Sequence, residues 1–245
     1  MPAAKQRRKS RVSLLFELPE TPSVPVMGEE ARYPVRRIFC VGRNYAAHAR
    51  ELGNAVDREA PIWFTKAPAA LCHSGSAIAY PPGTEDCHYE MELVVALGGH
   101  GFEIAPEQAM DLVYGYACGL DMTRRDLQNA AKAKGYPWDT GKDFENGAVI
   151  APITRAEAFG QRGGLAGEQR ITLAKNDETK QDAPLSEMIW SLPELIADLS
   201  RMYHLAPGDL IYTGTPAGVG PVAPGDRLEG RVEGLEPVTL EIEAP

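Results

Sequence analysis

The sequence is short of positive charge, of cysteine and of long apolar runs, and each shortage removes a class of function. Its 25 lysines and arginines face 34 acids, a formal charge of -9, which argues against a phosphate backbone as partner. No nucleic acid partner is expected. Cys40, Cys72, Cys87 and Cys118 stand far apart with no C-x-x-C pair, and nothing resembles a secretory signal, so a reducing cytoplasm is the expected setting. No window approaches the roughly 18 apolar residues that span a bilayer. No membrane association is expected. The Gly-rich stretch "YTGTPAGVG" (212–220) lacks the G-K-[ST] of a phosphate-binding loop, so a nucleotide site is not supported. Histidine is also sparse, and none of His73, His88, His100 or His204 has a zinc-site spacing to His48.

What is present is an ordinary globular composition, with 44% hydrophobic residues over 245 positions, enough for a full core. The opening residues 1–10 are basic and nearly free of large apolar side chains; a flexible tail is expected there, followed by one folded domain over 11–245. "RVSLLFEL" (11–18) suggests an early strand, and the Pro-rich segment after it an extended connection. Short β-type runs then dominate at 37–42, 61–66, 76–80, 91–98, 112–121, 209–214 and 237–243. Two helices stand out. One begins at "TRRDLQNAAKAKG" with Thr123 as N-cap, the other at "PELIADLSRMY" with Pro193 at the first helical position. The expectation is a mainly β, α+β fold with peripheral helices.

"HYEMEL" (88–93) carries two glutamates into the start of an apolar strand. A strand repeats every two residues, so Glu90 and Glu92 share one face while Met91 and Leu93 take the other. That face must be wet or held by positive charge. A third acid, Asp121, ends another apolar run. On the residues alone, the three acids either gather around a cation or stand at separate strand ends. If they gather, an oxygen-only ligand set selects a hard ion, Mg²⁺ or Mn²⁺ before zinc.

Three further signals are weaker. In "AAHAREL" His48 and Glu51 lie three apart, so on a helical turn the carboxylate could orient the imidazole and raise its basicity. A surface helix bearing both by chance is the commoner case. Lys142, in "PWDTGKDFENGAVIAP", reads on its own as a solvated loop lysine. Thr215 sits in a Gly-rich turn that could offer donors to an anionic ligand.

Taken in order, "FCVGRNYAAHARELG", "HYEMELVVALG", "YGYACGLDMTRRDLQ", "PWDTGKDFENGAVIAP" and "GDLIYTGTPAGVG" resemble the fumarylacetoacetate hydrolase family over most of the chain. The lead-in "PVMGEEARYPVRRIFCVGRNYAAHARE" and the run "GLDMTRRDLQ" look most like its fumarylpyruvate hydrolase branch, which acts in gentisate-type aromatic catabolism. The resemblance implies a mixed β-sandwich roll, a single catalytic domain and a homodimer. It makes Glu90, Glu92 and Asp121 ligands of a divalent metal, Mg²⁺ with Mn²⁺ and Ca²⁺ as alternatives. It makes His48 and Glu51 a water-activating dyad, and Lys142 the active-site lysine. Arg125 and Gln128 match positions that face the substrate, and Arg43 and Thr215 fall in binding loops. Asn176 and Gln181 fall where relatives shape the pocket. One departure is "FTKAP", in which Ala67 separates Lys66 from Pro68, so no role is assigned to Lys66.

The implied reaction is hydrolysis of the carbon–carbon bond of a 2,4-diketo acid, an acylpyruvate, with fumarylpyruvate giving fumarate and pyruvate. Oxaloacetate decarboxylation and 2-oxo acid isomerisation are the rivals, since both pass through a similar enolate. Three carboxylates on one dication leave a formal charge of -1. An anionic substrate therefore needs neighbouring cations, and Lys142 and Arg125 are the candidates.

Overall fold

The structure is a computed structural model that describes residues 15–17, 19–51, 58–161 and 167–245. The expected basic tail lies outside the described residues, as do positions 11–14 and 18 of the expected early strand. Leu15 and Phe16 form a bend, and the first strand among the described residues is Ser23–Pro25, inside the segment expected as a connection.

An eight-stranded mixed sheet dominates. Its order is Ile62–Lys66, Arg37–Gly42, Asp209–Tyr212, Met91–Leu97, Val113–Asp121, Ala148–Ile150 and Leu71–His73, with Thr154–Arg155 also paired to Val113–Asp121. Most pairs are antiparallel. The Asp209–Tyr212 strand runs parallel to Arg37–Gly42, and Ala148–Ile150 parallel to Leu71–His73. A five-stranded sheet covers one face, in the order Glu178–Pro184, Arg170–Lys175, Arg227–Val232, Val238–Glu243 and Ser76–Ala79.

Both faces of the large sheet are dry, which explains why the central strands read as nearly unbroken apolar runs. Met91, Leu93, Val95, Cys118, Leu120 and Ile211 pack toward Ile171, Leu173, Leu228 and Leu240 of the smaller sheet. Alternate residues Val94, Ala96, Ala117, Ile38 and Tyr212 pack toward Val24, Tyr33 and Val35 of the N-terminal segment. All four cysteines are buried and unpaired. No helix among the described residues is long and apolar enough to cross a membrane.

The expected strands reappear with ends shifted by a residue or two. The segment "LAKNDETKQDA" (173–183), which carries Asn176 and Gln181, lies in an antiparallel hairpin, Arg170–Lys175 with Glu178–Pro184. Its two turn residues, Asn176 and Asp177, have φ of 52° and 65°, the primed-turn geometry that matches strand twist. The second expected helix forms as Leu192–Met202. Ser191 is its N-cap, its backbone N–H donating to Glu194, so Pro193 is the second helical residue and not the first.

Candidate active site

Two neighbouring strands build the centre. In Met91–Leu97 and Val113–Asp121, Glu92 lies opposite Gly119, so Glu92 and Asp121 fall on the same face, and Glu90 joins them from just before its strand. Oxygens of the three carboxylates all lie within 4.8 Å of one another, and all three residues are buried. Of the two alternatives that strand alternation leaves for this face, wet or held by positive charge, the structure shows the second.

Lys142 Nζ donates to Glu90 Oε2 at 2.7 Å, to Asp121 Oδ2 at 2.6 Å and to Thr123 Oγ1 at 2.8 Å. The loop lysine of the sequence is thus a buried ion-pair partner. Its short helix, Asp139–Lys142, presses on the Arg125–Lys134 helix, and Gly141 permits this: a Cβ there would stand 2.8 Å from the Gln128 nitrogen. Arg125 makes a short ion pair with the other Glu90 oxygen and donates to Gln128 Oε1 at 2.6 Å.

Lys66, given no role from the sequence, is buried beside the same acids. Its ammonium lies 2.9 Å from Asp121 Oδ1 and donates to the carbonyls of Met122, at 3.0 Å, and Lys142. Period-two alternation puts Lys66 on the strand face of Phe64, which stands 4.9 Å from the Lys142 ammonium, but the pattern by itself does not show what that face meets. Thr123 was expected as a helix N-cap. The helix begins at Arg125, and Thr123 sits in a two-residue strand paired with His88, which turns its hydroxyl to Lys142.

Charges in the cluster push one another apart. Burial and the cations Lys142 and Arg125 act on Glu90 in opposite senses, and the cations win, holding its carboxyl well below the usual range. Glu92 goes the other way, raised well above it by burial and by the neighbouring charges of Asp121 and Glu90, although the Gly214 N–H donates to it at 2.7 Å. A carboxylate so disfavoured as an anion takes up either a proton or a metal. Three buried oxygen donors with no nitrogen or sulfur among them fit a hard divalent ion.

Beside this centre, the Ala46–Glu51 helix carries His48, buried, with Nδ1 3.3 Å from Glu51 Oε2. Glu51 is itself held by the Gly218 N–H, 3.2 Å from both oxygens. Burial lowers the pKa of His48 below its ordinary value, against the opposing pull of Glu90 and Glu51, so the imidazole is neutral at pH 7. With Nδ1–H directed at Glu51, Nε2 is the free base. His48 shares a narrow cleft with Arg43, Glu90, Arg125, Gln128 and Lys142.

The remaining expected residues divide. Gln181 is fully buried, bridging the Met91 N–H, the Thr215 hydroxyl at 2.8 Å and the Pro216 carbonyl, so it fixes the Thr215 loop. Asn176 does not join the site. Its side chain donates to Asp226 and accepts from the Arg227 N–H, closing a surface turn.

The fumarylacetoacetate hydrolase C-terminal family profile matches residues 37–243, the span that contains every group described above. The chain belongs to the fumarylacetoacetate hydrolase family. Within this family it is 52% identical over 194 residues to the fumarylpyruvate hydrolase of a Ralstonia species, covering 78% of this chain and 98% of that one. It is 40% identical over 210 residues to a mitochondrial oxaloacetate tautomerase of Homo sapiens, covering 86% and 93%. Among solved structures, the fumarylpyruvate hydrolase of Pseudomonas aeruginosa in complex with Mn²⁺ and pyruvate superposes with a TM-score of 0.90 at 42% identity, over 95% of this chain and 100% of that one. The strand-rich, curled architecture is that of the family, and the chain is a hydrolase of carbon–carbon bonds.

Proposed function

We propose that the protein hydrolyses an acylpyruvate, taking fumarylpyruvate to fumarate and pyruvate in gentisate-type aromatic catabolism. The observation that carries this reading is the placement of His48, with Nδ1 against the Glu51 carboxylate, in one cleft with Glu90 of the acidic cluster. Glu90, Glu92 and Asp121 would hold the divalent ion, Mg²⁺ being our choice, with Mn²⁺ and Ca²⁺ as alternatives. When bound, that ion supplies Lewis acidity toward the carboxylate and 2-oxo oxygens of the substrate.

The side chains then divide the work. His48 Nε2 takes a proton from water, which adds to the 4-carbonyl carbon, while Glu51 stabilises the imidazolium. Collapse of the tetrahedral adduct breaks the bond between C3 and C4. The electron pair leaves on the three-carbon fragment as the enolate of pyruvate. Lys142 and Arg125 face that developing charge, where one preorganised donor is worth roughly 3 to 4 kcal/mol. Imidazolium returns its proton to C3, and the new carboxylic acid ionises to solvent. Around the site Lys66, Lys142 and Arg125 balance three carboxylates, so a bound dication raises the local charge to a formal +2, suited to a dianionic substrate.

Arg43, Gln128 and Thr215 complete the substrate contacts in this reading, residues 11–245 act as one catalytic domain, and the protein works as a cytoplasmic homodimer. Oxaloacetate decarboxylation or 2-oxo acid isomerisation would use the same acids without a water attack. The His48–Glu51 pair favours hydrolysis. The deciding assay offers the Mg²⁺-loaded protein fumarylpyruvate, maleylpyruvate, acetylpyruvate and oxaloacetate, following loss of diketo-acid absorbance and release of pyruvate. Turnover of the acylpyruvates, lost in His48→Ala, is expected; turnover of oxaloacetate alone would replace this reading with the rival.

A further inference from the structure

The narrow cleft beside the acids opens into a cavity of about 590 Å³, and the two share Arg43, Phe64, Lys132 and Trp138. This outer cavity has the size of a small-molecule site. Arg125, Gln128 and Lys132 line one face of the Arg125–Lys134 helix at spacings of three and four. Arg125 points inward to Glu90, and Lys132 stands at the junction of the two spaces. Both head groups converge on Gln128 Oε1, Arg125 at 2.6 Å and Lys132 at 3.2 Å, so their charges stand at most about 6 Å apart and form one cationic edge leading from the acids to the mouth.

Charge at the junction is one-sided. Lys132 donates to Gln128 Oε1 at 3.2 Å and lies 5.0 Å from the Trp138 ring. Burial and the cations Arg125, Arg43 and Lys142 push its ammonium down to about 8, with Glu90 opposing. Arg43 adopts φ 60°, and its buried Nε has no partner among the described residues. Among the described residues neither Lys132 nor Arg43 is ion-paired with a carboxylate, whereas Arg125 and Lys142 are both paired with Glu90. Among the described residues, Asp139 is the one acid lining the outer cavity. Two cations without a counter-ion, at a mouth walled by Phe64, Tyr136 and Trp138, form a site for an anion carried on a flat, unsaturated chain.

We propose that Lys132, aided by Arg43, binds the distal carboxylate of the substrate, so that the enzyme selects acylpyruvates whose acyl group ends in a carboxylate over those ending in an alkyl group. This rests on the acylpyruvate reading above. The inner end of the substrate then lies at the acids and Lys142, and the chain passes Arg125 to bring its outer end to Lys132 and Arg43. The planar acyl chain between them lies along Trp138. Selectivity comes from the outer pair because an alkyl end would leave both cations desolvated and unpaired.

The test compares kcat/KM for fumarylpyruvate and acetylpyruvate in the full-length, Mn²⁺-loaded protein, as wild type, Lys132→Met, Lys132→Arg and Arg43→Asn; asparagine tolerates the φ of 60°. Wild type is expected to favour fumarylpyruvate. The ratio of the two specificity constants should fall roughly 10- to 100-fold in K132M, the loss of one charge-assisted hydrogen bond, and recover in K132R. R43N should lower it less. An unchanged ratio in K132M, with both substrates slowed alike, overturns the proposal. Calorimetric binding of fumarate and of crotonate is an independent readout. Wild type should prefer fumarate, and K132M should lose that preference; equal preference in the two proteins overturns the assignment. A wild type that cleaves no acylpyruvate would instead remove the proposed reaction, and the fumarate-against-crotonate comparison would still decide on Lys132.

Discussion

Lys142 places its ammonium between Glu90 and Asp121, 2.7 Å from one carboxylate and 2.6 Å from the other, so a lysine side chain ties together the two strands that carry the acids. This contact makes the acidic cluster stable as a fold element before any ion binds. A divalent ion held by these acids would share its carboxylates with the lysine. Several consequences can be measured.

Removing the ammonium should hurt folding and chemistry separately. Lys142→Met leaves Glu90 and Asp121 short of a partner in a buried site, a loss on the order of 3–5 kcal/mol in the metal-free protein. Urea denaturation with and without Mn²⁺ measures it, and the ion should restore a large part of the deficit. Turnover of fumarylpyruvate should stay down by about 10² to 10³ even where stability is restored. Full recovery of both would remove Lys142 from the chemistry.

Glu92 is the carboxyl that burial and its neighbours drive toward the protonated state. A divalent ion relieves that repulsion, so it should stabilise the protein: at a hundred times its Kd the gain is about 2.7 kcal/mol. Calorimetric unfolding should show a rise in Tm with Mn²⁺ or Mg²⁺ that chelation reverses. Glu92→Gln should bind the ion more weakly yet, lacking the repulsion, unfold no earlier than wild type without it. A Tm indifferent to metal in the wild type would contradict the ligand assignment.

His48 must be neutral to accept a proton, and burial lowers its pKa from the ordinary 6.5. Activity should therefore be full at pH 7 and fall as the pH drops through that lowered value, so the acid limb of kcat/KM lies below 6.5. Glu51 pulls the pKa upward, so Glu51→Gln should move the limb further toward acid while reducing kcat. A limb that moves toward neutral pH in this variant would show that Glu51 does not act on His48.

Gly214 donates its N–H to Glu92 with φ +97°, and a Cβ there would stand 2.6 Å from the Asn44 Cβ. Asn44 in turn holds the Thr213 and Trp190 carbonyls, clasping this loop near the start of the His48 helix. Gly214→Ala should cost roughly 1–3 kcal/mol of stability from backbone strain and weaken metal affinity. Denaturation and calorimetric Mn²⁺ titration check the two effects.

Much of the site was legible because its parts are local patterns. Glu90 and Glu92 share a strand face by alternation, and His48 and Glu51 share a helical turn. Lys66 escaped because nothing within "FTKAP" reveals that its strand pairs with Arg37–Gly42 and delivers the ammonium to Asp121. Thr123 misled because a threonine before a helical run looks like an N-cap, and only the pairing with His88 moved it into the site. The hairpin at Arg170–Lys175 and Glu178–Pro184 was hidden by its polar, charged second strand, whose inward residues Gln181 and Ala183 carry little apolar signal.

By itself the sequence determined the β-rich class, the strand faces on which the acids stand and the oxygen-only character of the ligand set, since these follow from residue type and a repeat of two or 3.6. Tertiary structure alone decided that acids from separate strands meet, that three cations close around them, and that Lys132 and Arg43 are left without a counter-ion among the described residues. Those depend on which strands pair and which loops pack together, and charges far apart along the chain reveal their distance only once it is folded.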